Sequence, residues 1–447
     1  MVVRWETEIL ALGPRIFSYK EGRGTMGNYL AEISLAALAI AVVVAIVRNV
    51  NVGPLSLAIA LVVGYYIGGV QVKTIIAGYP VNVFIMLAGI TYLFAIANTN
   101  GTLEKLTKFA VKGVRGNVAL LPIVLFLLAF ALSSLGPGAI TICALLAAPT
   151  MLLASETKIP AFLMACMVAN GTQAGNMSPI AVAGVIVNGL LQPMGITDFG
   201  FTLWMNSLVF FFAIGLGAYL LFGGVKLWKQ KAAGEASATV KIDVEPFNYQ
   251  QYLTLVGIAV LVIGVFFFKL DIGLGGFLVG TVLILLRAAD EEKAFKAMPW
   301  GAILMVTGVT VLIQLMSKIG GMDLFATIMA KQSTPYTATM VVGFWAALIS
   351  AYASTIGIIL PAFVPMAPDL LAKIGGTDLL GLISSIVLCG HITDFSPLST
   401  LGAIFIANAA EDQDKKKLFR DMLIWGLAMS PVGAVFCWFL FTVLGLP

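Results

Sequence analysis

Charge and histidine are what this 447-residue chain has least of. Asp, Glu, Lys and Arg make up only 11% of it, where a soluble domain carries about a quarter. A water-soluble core of this length is therefore excluded. The single histidine, His391, rules out a His-rich metal site. The four cysteines, Cys143, Cys166, Cys389 and Cys437, fall in apolar stretches without metal-ligand spacing and read as small buried side chains. No carboxylates are paired for acid–base work, no Gly-rich loop is set to cradle phosphate, and no nucleophile has a base beside it. These absences argue against an enzyme and against an ATP-driven pump. The net charge of +4 comes from short basic stretches between apolar segments. Such stretches set membrane topology and give no sign of a nucleic-acid partner.

What the chain has instead is apolar length: 60% of it is hydrophobic, with a mean hydropathy of +1.00. Many stretches approach the ~20 residues that span a bilayer. The expected fold class is an all-α polytopic membrane protein in a lipid bilayer. Spans are expected at 29–47, 53–71 and 81–98. The stretch 102–116 is too short and too charged to cross, and its separated apolar and lysine faces suit an interfacial helix. Residues 117–153 are long enough for two helices but break at 133–138, giving two full spans or a re-entrant hairpin. A segment at 159–190 is interrupted over 170–178, and a span at 201–225 follows. The polar stretch 226–250, with Lys226, Lys229, Lys231 and Lys241, reads as a linker. Spans at 251–269, 272–287 and 299–317 then lead to an amphipathic piece at 320–332. A helix pair at 336–373 breaks near 350–355, and a broken span at 379–410 precedes a last span at 421–445. The expected organisation is an N-terminal tail 1–28, a first repeat 29–225, a cytoplasmic linker 226–250 and a second repeat 251–447.

The two halves echo one another. Leu87-Ala-Gly-Ile-Thr91 returns as Val306-Thr-Gly-Val-Thr310. Ser133-Ser-Leu-Gly-Pro-Gly138 returns as Ile349-Ser-Ala-Tyr-Ala-Ser354, and Asn176-Met-Ser-Pro179 as Asp394-Phe-Ser-Pro397. The offsets are 219, 216 and 218. Five crossings per half, or seven if the broken pairs span fully, are both odd numbers, so the repeats are expected to be inverted. With two re-entrant hairpins and two broken helices, about ten spans result. Five crossings per half put 17 of the 26 Lys and Arg on one face. By the positive-inside rule that face is cytoplasmic, which sets the chain in a cell inner membrane with both termini outside. Residues 1–25 are polar and lack a signal-like apolar stretch, and Met26 is the expected physiological start.

Four interruptions, at 133–141, 170–178, 350–357 and 389–397, should meet near the midplane, because non-helical backbone at that depth must be buried in protein or line a wet cavity. Broken helices offer free N–H groups to anions and free C=O groups to cations. The side chains around them are hydroxyls and amides, with Asp394 as the deepest carboxylate. For any single Ser or Thr, close helix packing is the competing reading; four interruptions at duplicated positions point to a site. Asp394 either binds a cation or carries a proton, or else caps the half-helix beyond it. His391 satisfies a backbone carbonyl, or else tunes Asp394 or contacts substrate.

The hairpin tips, the Ser-Pro breaks and the repeated halves resemble the ion transporter superfamily, including the divalent anion:sodium symporters. The stretch from Asn28 through Ser133-Ser-Leu-Gly-Pro-Gly-Ala-Ile-Thr141 to Asn188 is similar to dicarboxylate carriers of the malonate carrier type. The resemblance implies substrate contacts at Ser134, Gly138, Thr141, Thr172, Gln173, Ser354, Thr355, Thr393, Ser396 and Pro397. It implies sodium sites from Ser133, Ser134, Gly138, Gly171 and Asn176 in the first half. In the second half they would come from Ser350, Ala353, Thr355, Asp394 and Phe395. It also implies a homodimer and an elevator-like motion. The chain departs from the symporters' Ser-Asn-Thr tip signature, having Gly-Ala-Ile and Ser-Thr-Ile, so both tip asparagines are missing. The expected function is cation-coupled transport of a small dicarboxylate, malonate or a C4-diacid, with sodium as coupling ion. The alternatives are a sodium/proton antiporter of the same superfamily and the membrane subunit of a binding-protein-dependent tripartite transporter.

Overall fold

Inside a bilayer the backbone must satisfy its own N–H and C=O groups, and an apolar helix does so within each segment. In the computed structural model the described residues are 25–48, 50–112, 118–197, 199–232 and 245–446, and they contain helices and no strand. Eight helices among the described residues are long and apolar enough to cross a membrane. Most of the expected tail, residues 233–244 of the expected linker and residues 113–116 of the expected interfacial helix lie outside the described residues.

The first half contains α1 (Thr25–Arg48), α2 (Val52–Ala60), α3 (Val81–Thr99), α4 (Leu121–Ser134), α5 (Gly138–Glu156), α6 (Ala161–Asn176), α7 (Val182–Leu191) and α8 (Gly200–Leu221). The second contains α9 (Tyr249–Phe268), α10 (Ile272–Leu285), α11 (Trp300–Lys318), α12 (Ala338–Ser350), α13 (Leu379–Ile392), α14 (Thr400–Ala407) and α15 (Lys415–Cys437). The expected amphipathic pieces form helices at Thr102–Lys112 and Gly321–Ala330. At 1.5 Å per residue, α4 and α12 reach only about 20 Å, short of the ~30 Å hydrocarbon layer. That length suits arms that turn back at depth better than full spans.

Two expected interruptions sit further along the chain than the sequence suggested. Residues 170–176 remain helical, and the real break runs from Met177 to Ala181. Likewise 389–392 are helical, Thr393–Phe395 form a 3₁₀ turn, and the chain opens only at 396–399. The glycines that suggested early breaks serve packing instead. A Cβ on Gly171 would collide with the Phe126 carbonyl oxygen, and one on Gly175 with that of Phe130, so these glycines let α6 lie directly on the backbone of α4. The Ser-Pro pairs make the breaks, since proline lacks an N–H and clashes with the preceding turn.

The Leu87–Thr91 echo has a structural meaning. A Cβ on Gly89 in α3 would strike the Gly273 carbonyl oxygen in α10, and one on Gly308 in α11 would strike that of Gly53 in α2. Each half thus lends the same two helices to a backbone-to-backbone crossing with the other half. Thr91 and Thr310, two residues on, donate in the same way to the carbonyls of Leu87 (2.6 Å) and Val306 (2.8 Å). Around these crossings lies one apolar core, containing α2, α3, α10, α11 and α7. A second core gathers α4, α5, α6, α8 and α15. The boundary between them falls between Ala174 and Met177 in the first half and between Val387 and Leu388 in the second. The first break therefore lies at the seam, and the second lies beyond it, with Phe395 and Leu401 of the second core on either side.

Gly89→Val and Gly308→Val should each lower the melting temperature in detergent or abolish monodisperse protein. Overpacking costs ~1–3 kcal/mol where side chains can yield, and here the obstacle is backbone. Gly217→Ala, which has nothing within 4 Å of the added carbon, should melt like the wild type or slightly higher. A Gly89→Val protein as stable as wild type would remove the crossing from this account.

Candidate functional site at the seam between the two cores

Tip 1, residues 135–137, needs glycine for its shape. Gly136 and Gly138 have φ of 140° and 79°, values that carry little penalty only without a Cβ. A Cβ on Gly136 would also run into the ring of Phe94. Tip 2, residues 351–354, is built differently. Ser354 sits in extended backbone, and its hydroxyl caps the following turn by accepting from Gly357 N at 3.1 Å. This is why Gly138 is replaced by Ser354 in the second copy.

Each tip meets the break of its own half at corresponding positions. At tip 1 the Ala139 amide donates to Asn176 Oδ1 at 3.3 Å. At tip 2 the Thr355 hydroxyl lies 2.8 Å from Asp394 Oδ1 and 2.9 Å from the Gly390 carbonyl, with the Ser350 hydroxyl also bonded to it. The halves are joined across the seam by Gln173, whose Nε2 donates to Asp394 Oδ2 at 2.9 Å and to the His391 carbonyl at 3.4 Å. Ser399 Oγ approaches Asp394 Oδ1 at 3.4 Å. The partners of Asp394 are thus side chains. The half-helix α14 has Ser399 at its N-cap position, with no side-chain cap bond there and none from the Asp394 carboxylate. Beyond each break a glycine one turn into the next helix, Gly184 or Gly402, leaves room for the carbonyl of Ser178 or Ser396.

The remaining residues singled out by sequence divide clearly. Ser133, Ser134 and Ser178 are buried around tip 1 and the first break, and their hydroxyls have no hydrogen-bond partner. Buried polar groups are nearly always partnered, so these three hydroxyls mark a place that a polar ligand would complete. Thr141 is half-buried on the first turn of α5. Thr172 is turned to the Ala169 carbonyl and to Cys143, and Thr393 to the carbonyls of Ala347 and Gly390. Ser396 accepts from Leu398 N at 3.4 Å, with Pro397 buried beside it. Gly171 is wedged on α4, away from the tip, and Phe395 packs its ring between Phe162 and Phe405. Those two, like the buried Ala353, have only backbone to offer a ligand. His391 places Nδ1 2.8 Å from the Val387 carbonyl, and its Nε2 is buried without a partner.

Sequence reading missed the polar pair Asn206 and Ser207 on α8. Asn206 Nδ2 donates to Ser384 Oγ at 3.0 Å, and Ser207 Oγ to the Gln173 carbonyl at 3.1 Å. The second bond satisfies a carbonyl freed by the end of α6. Two adjacent polar residues inside an otherwise apolar span were the available signal. Among the described side chains no Lys or Arg is buried, so the seam holds no fixed basic charge.

With this geometry in view, comparison with known proteins is informative. Residues 26–176 match the family model of the dicarboxylate carrier protein MatC N-terminus. No curated protein sequence matches. Among solved structures, the YdaH transporter of Alcanivorax borkumensis, whose crystal structure shows an unusual topology, shares the fold. The TM-score is 0.53 at 14% identity, over 84% of this chain and 88% of that one. The chain is thus a polytopic membrane protein that is similar to the dicarboxylate carrier N-terminus over about its first third and shares the fold of a solved transporter over most of its length.

Proposed function

We propose that the chain is a cation-coupled secondary transporter of small dicarboxylates, of the malonate or C4-diacid class, with sodium as the coupling ion. The observation that carries this reading is the trio of unpartnered buried hydroxyls, Ser133, Ser134 and Ser178, where tip 1 meets the first break. Hydroxyls donate to carboxylate oxygens, and broken helices add N–H groups at the same depth. The dicarboxylate carrier match over residues 26–176 covers this tip.

The lack of a buried basic side chain among the described residues supports coupling to a cation. A dianion entering beside Asp394 gathers like charges with no Lys or Arg to offset them, and a cation bound nearby removes that cost. The donor set around tip 2 suits a hard monovalent ion: the Ser350 and Thr355 hydroxyls, the Gly390 carbonyl and one carboxylate oxygen of Asp394, all oxygen. The single hydrogen of the Thr355 hydroxyl can serve the Gly390 carbonyl or Asp394, not both. In this reading the halves are inverted repeats and both termini face outside an inner membrane. The chain works as a homodimer, and the hairpins and broken helices shift in an elevator-like motion against the α2–α11 and α3–α10 crossings.

Two experiments test this. Proteoliposomes should accumulate labelled malonate or succinate when a sodium gradient is imposed. The same diacid should raise the melting temperature only when sodium is present, since a ligand at a hundredfold its Kd adds about 2.7 kcal/mol to the native state. Absence of uptake for every diacid tried, under sodium or proton gradients, would sink the proposal. Separately, Ser134→Ala and Ser178→Ala should each weaken malonate binding about tenfold, the equivalent of ~1.5 kcal/mol for a hydrogen bond to a charged group. Asp394→Asn should remove the sodium dependence. If Asp394→Asn transports with unchanged cation dependence, Asp394 does not couple.

A further inference from the structure

One hydrogen-bonded chain runs through the seam from tip 1 to tip 2. It passes from the Ala139 amide to Asn176 Oδ1, from Asn176 Nδ2 to Gln173 Oε1 (3.4 Å), from Gln173 Nε2 to Asp394 Oδ2, and from Asp394 Oδ1 to the Thr355 hydroxyl. The direction of its amides is forced by chemistry. The Asp394 carboxylate accepts from Gln173, so Gln173 must turn its NH₂ to it. Its Oε1 then faces Asn176, which must present its own NH₂ there, leaving Oδ1 for the Ala139 N–H. Flipping any one amide sets like atoms against each other at both of its ends. The Gln173–Asp394 bond is the link of this chain that joins the two halves, and the position of Gln173 corresponds to His391 at the offset of 218 that relates the breaks.

Every polar atom of the Gln173 side chain is used within the protein: both Nε2 hydrogens toward Asp394 and the His391 carbonyl, and Oε1 toward Asn176. On either side of it lie the three unpartnered serine hydroxyls at tip 1 and the hydrogen-bonded oxygen cluster around Thr355 at tip 2. We propose that Gln173 is a positioning residue that couples the two half-sites: an anion that disturbs Asn176 or tip 1 alters, through the Gln173 amide, how Asp394 is held at tip 2, and a cation at Asp394 acts back on tip 1 by the same path. This rests on the cation-coupled carrier reading above and gives that coupling a physical route. A route between sites is established only by measured coupling, and linkage requires it to be reciprocal.

The test has two arms. In the first, malonate affinity of purified protein is measured in sodium chloride and in choline chloride. Wild type should bind about tenfold more tightly in sodium, a typical coupling between two ligand sites. In Gln173→Leu that ratio should fall close to one, whatever happens to the two affinities themselves. A role confined to packing would shift both affinities and leave their ratio. The second arm needs no substrate. Asn176→Ala and Thr355→Val, which share no hydrogen-bond partner, are combined in a thermal-unfolding double-mutant cycle. Their effects should be non-additive in the wild-type background and additive once Gln173→Leu is introduced. A ratio preserved in Gln173→Leu, or an additive cycle in the wild-type background, overturns the proposal. A wild type whose malonate affinity ignores sodium overturns the coupled-carrier reading and the coupling role with it. The cycle then judges the relay by itself.

Discussion

The structure depends on one constraint: backbone that leaves the helix at membrane depth must find its hydrogen bonds on protein. Both breaks solve this locally first. Ala181 N bonds the Ser178 carbonyl and Ser399 N that of Ser396, each at 2.9 Å. These short turns leave the ends of α6 and α13 in need of further partners. α8 supplies one through the Ser207 hydroxyl, which donates to the Gln173 carbonyl; at tip 2 the Thr355 hydroxyl lies 2.9 Å from the Gly390 carbonyl, and at tip 1 the Ala139 amide meets the Asn176 side chain. Tip and break are therefore parts of one solution.

The same constraint explains why the two halves are not used symmetrically. In the first half the tip donates a backbone N–H to a neutral amide, Asn176, and nearby hydroxyls remain unpartnered. In the second half the corresponding tip position donates a hydroxyl to a carboxylate, Asp394, and the polar groups around it are engaged. One copy offers hydroxyl donors to a ligand. The other collects oxygens around an acid. A single amide, Gln173, stands between them.

The scaffold and the site make opposite use of small residues. At the α3–α10 and α2–α11 crossings glycine brings two backbones into contact, and the contact is buried and apolar. At tip 1, glycine provides backbone angles that other residues avoid. In the sequence both appear as Gly among apolar neighbours, which is why the Leu87–Thr91 echo and the 133–138 echo looked like the same kind of signal. Only the positions of the facing helices separate a packing glycine from a turning one.

The sequence by itself determined the membrane class and the apolar segments. Each rests on composition or period, and in a bilayer those leave the backbone little choice but helix. It also picked out tip 1, tip 2 and both Ser-Pro pairs, since proline and clustered small polar residues interrupt helices wherever they stand. The placement of Asn170, Gln173, Asn176 and His391 was a tertiary decision: they looked like break residues, but packing of α6 on α4 keeps the first three helical, and His391 ends its polar reach on a carbonyl of its own helix. Tertiary structure also decided that Asp394 meets Gln173, 221 residues away, and that Ser133, Ser134 and Ser178 stay without partners. Those outcomes depend on which surfaces two separate cores bring together, and no local pattern in the chain encodes a contact across that distance.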